Sequence, residues 1–84
     1  MDERIVALGV YEAAKKKLLE LGMRAGSHLE TLRKETDTLL TRRDFLQIDF
    51  ETAAVLVADL KKIQSEAKIE LRTIDELNST YKFD

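Results

Sequence analysis

The stretch 49–81 contains neither glycine nor proline, and its apolar residues recur three or four apart: Ala53, Leu56, Val57, Leu60, Ile63, Ala67, Leu71, Ile74 and Tyr81. That spacing draws one face of an α-helix. The opposite face carries Asp59, Lys61, Lys62, Ser65, Glu66, Lys68, Arg72, Asp75 and Glu76, as a solvated face should. A long amphipathic helix has to bury its stripe against something, and this requirement constrains everything upstream of it.

The first half of the chain supplies a matching element. Asp2 and Glu3 suit a first helical turn, where negative charge meets the positive end of the helix dipole. A second apolar series follows, through Ile5, Val6, Leu8, Val10 and Tyr11, then Ala13, Ala14, Leu18, Leu19 and Leu21, and its stripe continues through Ala25, Leu29, Leu32, Thr36 and Leu39. Glu30 and Lys34 make an i,i+4 pair in the favourable orientation, worth about 0.2–0.5 kcal/mol.

Residues 22–27 allow two readings. Either the helix ends near Gly22 and restarts at Ser27, with Glu30 closing a capping box, or it runs straight through. A continuous helix carries Gly22 and Gly26 in its interior at roughly 1 kcal/mol each, so it needs a packing reason. An antiparallel hairpin provides one. With the turn at about 43–49, Leu39 faces Ala53, Thr36 faces Leu56, Leu32 faces Leu60, Leu29 faces Ile63, Leu18 faces Ile74 and Tyr11 faces Tyr81. Ala25 then faces Ala67, one small layer level with the glycines, where another helix comes close.

The expected fold is therefore all-α. It is an antiparallel hairpin of two long helices in one domain, residues 1–84, with a helix at about 3–42, a turn at about 43–49 and a helix at about 50–79. Asp49 is the preferred N-cap of the second helix, with Asp44 the alternative. Residues 78–84 are expected to fray. The competing architecture is a three-helix bundle broken at residues 22–27.

One hairpin does not cover all the apolar surface. Val55, Ala58 and Ile69 fall off the main stripe, and Leu40, Phe45, Leu46, Ile48 and Phe50 cluster at the turn. A first helix of about 38 residues is roughly 57 Å long and overhangs a shorter second one, leaving Ile5, Val6, Leu8 and Val10 without a partner. Soluble monomers rarely leave contiguous apolar patches beyond a few hundred Å². Two hairpins pairing into a four-helix bundle would cover them.

The chemistry of the chain excludes more than it offers. With no cysteine there is no disulfide and no thiolate metal site. His28 is the only histidine and belongs to no metal-ligand spacing, so it reads as a solvated or flanking residue. Ser27 and His28 are sequence neighbours and point in different directions on a helix, which is no nucleophile–base pair. The basic runs Lys15-Lys16-Lys17, Arg42-Arg43 and Lys61-Lys62 are interrupted by Glu12, Glu20, Asp44, Asp59 and Glu66, and the net charge is −2. A nucleic-acid binder shows a basic excess or stripe instead. No uncharged apolar run reaches membrane-spanning length, and no basic segment leads into a long apolar run at the start, so a cytoplasmic location is expected.

The expectation for function is a non-enzymatic protein–protein interaction module: a small adaptor, chaperone or assembly subunit, with no metal, no cofactor and no small-molecule substrate. It would act by helix-in-groove association, through Val6, Leu8, Val10, Phe45, Ile48, Phe50, Val55 and Ile69. Its partner is a second copy, as a homodimer, or another helical protein. The alternative is a small dimeric helical regulator associated with nucleic acid. A third reading is a small all-helical enzyme drawing on Arg4, Lys15, Arg43 or Glu70 near the seam, with Glu70 otherwise a polar pin for the register.

Overall fold

The computed structural model describes residues 2–42, 46 and 49–84, excepting the side chains at 39, 40 and 42. Two helices make up the described chain, α1 (Glu3–Arg42) and α2 (Phe50–Tyr81), packed against each other. The molecule is a rod of 61 × 19 × 16 Å. α1 passes through Gly22 and Gly26 without a break, so the three-helix alternative does not form. The hydroxyl of Thr31 donates to the Ser27 carbonyl, as it does within a continuous helix, and Ser27 caps nothing.

Asp49 caps α2, accepting from the Thr52 backbone N–H at 2.9 Å. That satisfies one of the orphan donors at the start of the helix and stops it from extending backwards. The hydrogen bonds from Thr52 hold the Asp49 carboxyl below its ordinary value. Asp44, the alternative cap, lies outside the described residues.

The seam follows a strict rule. On α1 the inward residues are Ala7, Tyr11, Ala14, Leu18, Leu21, Ala25, His28, Leu32 and Glu35, alternately four and three apart. On α2 they are Ala53, Leu56, Leu60, Ile63, Ala67, Glu70, Ile74, Leu77 and Tyr81, with the same alternation. This is the 3.5-residue repeat of an antiparallel coiled coil. It corrects the expected inward face. Leu29, Thr36 and Leu71 are exposed, with His28, Glu35 and Glu70 at the seam in their stead; Val57 beside Leu56 is exposed too, and Leu77 joins the seam. A helix pair tens of ångströms long keeps one repeat because each seam residue is placed by the next. A single leucine at the neighbouring position cannot pull the seam over.

The core is thin. Only Ala7, Tyr11, Ala14, Leu21, Ile63 and Ile74 are buried among the described residues. Ile74 packs with Tyr11 and Ala14, with Leu18, Leu77 and Phe83 closing around them. Where the small layer was expected, Gly22, Ala25 and Ala67 border an open cleft of about 420 Å³, next to Leu21 and Ile63. α2 does not come close to the glycines. A methyl group built on Gly9, Gly22 or Gly26 would meet nothing within 4 Å.

The end of α2 does not fray. Lys82 takes a left-handed conformation and its N–H bonds the Asn78 carbonyl at 2.8 Å, closing the helix. Phe83 then turns back between Tyr81, stacked at 5.4 Å, and Tyr11 at 5.0 Å. Arg4 lies over the same ring at 5.4 Å. Asn78 and Asp84 exchange two hydrogen bonds, 3.0 and 3.2 Å long. The expected overhang at the start of α1 is thereby partly covered: Ala7 and Tyr11 are buried, and Ile5, Val6, Leu8 and Val10 remain exposed.

Candidate interaction faces of the hairpin

The coiled-coil repeat gives the rod two flanks. One holds a polar cluster, with Val6, Val10, Val55 and Ile69 exposed around it. Arg24 Nη2 on α1 donates to both carboxylate oxygens of Asp59 on α2, at 3.0 and 3.2 Å, and His28 Nε2 meets the same carboxylate at 2.6 Å. A carboxylate only accepts, so Nε2 carries the proton in this contact. The hydrogen bond from His28 is the main reason the Asp59 carboxyl lies below its ordinary value, with Arg24 assisting and partial burial opposing. His28 is thus a half-buried seam residue with a partner, not the solvated one expected from sequence. Lys17, Thr31, Glu66 and Thr73 occupy the equivalent positions along this flank.

The other flank is mostly apolar. It carries Leu8, Leu19, Gly22, Gly26 and Leu29 from α1, and Phe50, Val57 and Leu71 from α2, all exposed, with Lys15, Thr36 and Gln64 in the same row. Leu19 and Met23 are 66% and 69% exposed, among the most open large apolar side chains on α1. They border a groove of about 570 Å³ with Leu18, Gly22 and Leu71.

The residues expected to make contacts divide between these flanks. Leu8 and Phe50 belong to the apolar one by helical position. Val6, Val10, Val55 and Ile69 lie on the other side, where Val55 lines a shallow cleft with His28, Asp59 and Lys62. All six are exposed. Phe45 and Ile48 lie outside the described residues. Sequence reasoning puts Leu19 in the apolar series and gives the two glycines a close approach at the small layer of the hairpin, and it passes over Met23 and over this row as an outer surface. A stripe spaced 19, 22, 26, 29 is the signal that marks it, and it is hidden as long as Leu29 is placed in the seam.

Of the polar residues considered for catalysis, Lys15 sits 5.1 Å from the Tyr11 ring and 3.9 Å from Asp84, Arg4 covers Phe83, and Glu70 is half-buried in the seam. They do not converge on one pocket. Arg43 lies outside the described residues. The Tyr11 hydroxyl is buried without a well-aligned hydrogen bond, and the Asp84 carboxylate beside it, then burial, raises its pKa. Among the described residues no three metal-capable side chains come together, and no helix is long and apolar enough to cross a membrane.

Fold and surface together define an antiparallel helical hairpin with exposed apolar side chains on both flanks. Comparison with protein-family models, with curated proteins and with solved structures finds no match for this chain.

Proposed function

We propose that this chain is a non-enzymatic protein–protein interaction module whose exposed helix faces bind other helices, its own or a partner's. The observation that carries the reading is surplus surface. The chain exposes 6666 Å², where a compact monomer of its 9.6 kDa would expose roughly 5,100 Å². The excess of about 1,600 Å² is roughly twice the 800 Å² or so that each partner gives up in a standard protein–protein interface. Much of it is aliphatic and lies in rows along the helices, which is the shape a further helix fits. No convergent polar pocket among the described residues competes with this use.

The test is association. Sedimentation of the purified chain reads self-association, and fluorescence anisotropy against a panel of labelled amphipathic-helix peptides reads binding to foreign helices. The expected result is a complex in at least one arm that is lost when exposed aliphatics are replaced by Glu, with helix content unchanged. A chain that stays monomeric at high micromolar concentration and binds none of the peptides overturns the reading.

A further inference from the structure

Resting on that reading, we infer that the apolar flank is covered by a second copy of this chain, α1 packed antiparallel on α1 about a two-fold axis that passes between Gly22 and Met23. The glycines first raise the question. Each is unfavourable by about 1 kcal/mol relative to Ala in a helix interior, and nothing in the hairpin approaches them. Within one chain they have no packing role. Leu19 and Met23 stand beside them, exposed, about a third and about half a turn round α1 from the seam.

The stripe is complementary to itself. A two-fold interface presents the same patch twice, so every knob must find its own notch. With the axis between residues 22 and 23, Leu19 of one copy comes level with Gly26 of the other, and the reverse, nearly head-on. Met23 then meets Met23 beside the axis. The charges agree with this register. Lys15 comes level with Glu30 of the second copy, and Glu12 with Arg33. The competing register that stacks Gly22 on Gly26 sets Lys15 directly against Arg33 and is disfavoured by like charge. In the single chain Lys15 lies over the Tyr11 ring at 5.1 Å, and the ion pairs of Lys15 and Glu30 are long and exposed, 3.9 Å to Asp84 and 3.8 Å to Arg33, and exchange readily. The surface excess noted above is also ample for the roughly 800 Å² per partner that a standard interface needs.

Five variants and the wild type decide the matter by sedimentation, circular dichroism and oxidative cross-linking. The wild type is expected to dimerise. Leu19→Glu and Gly26→Leu should each weaken the dimer by at least about tenfold. Gly26→Leu should do so while helix content holds or rises, since a side chain there meets nothing within its own chain. Val55→Glu, on the opposite flank, should leave the dimer unchanged. The chain has no cysteine of its own. Met23→Cys should therefore give a single clean intermolecular disulfide on oxidation, because helix geometry puts the two Cα atoms about 6 Å apart. Thr31→Cys should not. The proposal is overturned by a wild-type monomer, by a dimer that survives both Leu19→Glu and Gly26→Leu, or by one that only Val55→Glu dissolves. A monomer that still binds amphipathic peptides would sink this dimer and leave the interaction module standing; a dimer through the Val55 side would do the same.

Discussion

His28 on α1 and Asp59 on α2 meet across the seam with Nε2 and Oδ2 2.6 Å apart, and this contact lets a polar residue occupy a coiled-coil core position. The ring replaces the expected leucine at the seam without leaving a buried polar group unpaired. Arg24 joins the same carboxylate and ties the polar flank of the rod together.

Acid should therefore loosen this flank. The Asp59 carboxyl lies below its ordinary 3.8 in the folded chain, chiefly through His28. A lowered carboxylate contributes stability that is complete above the ordinary value and is lost as pH falls through the lower folded value. Asp59→Asn lacks that contribution. Its melting temperature should lie below that of the wild type at neutral pH, and the two should converge once the pH is below the folded value. Asp49 is also lowered and stays in both proteins, so the difference between the melting curves, not the acid transition itself, reports Asp59. A gap that persists undiminished at low pH would rule the assignment out.

Gly9 offers a clean measure of what glycine costs this fold. It lies in the interior of α1, exposed, with nothing within 4 Å of an added methyl group, and it stands outside the proposed dimer stripe. Gly9→Ala should raise stability by about 1 kcal/mol, read from urea unfolding. No change, or a loss, would mean that Gly9 also meets something outside the single chain.

Helix class and direction of pairing were legible because they depend on the absence of breakers and on periodicity summed over a long chain. The inward face was harder. At 28/29, 56/57 and 70/71, candidates for the seam stand side by side, and a reading that follows hydrophobicity alone takes Leu29, Val57 and Leu71 inward. Alternating steps of four and three from Ala7 through Tyr11, Ala14, Leu18, Leu21 and Ala25 already demand His28. The folded-back tail was not legible. It depends on Phe83 finding Tyr11, a contact between chain ends that no local pattern announces.

Two buried isoleucines should respond unequally to truncation. Ile74 packs with Tyr11, Ala14, Leu18, Leu77 and Phe83, and its outer edge lines the groove beside Leu19 and Met23. Ile63 borders the open cleft beside Ala25 and Ala67. Replacing a core Ile by Ala costs about 2–5 kcal/mol, and the cost grows with the cavity left behind. Ile74→Ala strips the packing beneath the Tyr11 and Phe83 rings, which hold the chain ends together, and belongs above Ile63→Ala in that range. Ile63→Ala only enlarges a space already open to water and belongs near the bottom. Should Ile74→Ala fail to fold, the Ile→Val pair at the same two positions should keep the order, at about 0.5–1.5 kcal/mol.

The aromatic clasp at the chain ends gives the last test. Phe83 lies between Tyr11 and Tyr81 with Arg4 over its face, so one side chain joins the tail to the first turns of α1. Removing it uncovers Tyr11 and frees the tail. Phe83→Ala should destabilise the hairpin by about 1–3 kcal/mol, from lost apolar burial together with the ring contacts. Phe83→Leu keeps most of the burial and loses the rings, so it should cost less, about 0.5–1.5 kcal/mol. Hydrogen exchange locates the effect: amides near Ala7 and Tyr11 should exchange faster in Phe83→Ala, and those around Ile63 should change least. Uniform acceleration along both helices would mean that Phe83 supports the whole seam, and unchanged exchange at Tyr11 would mean that the clasp does not close in solution.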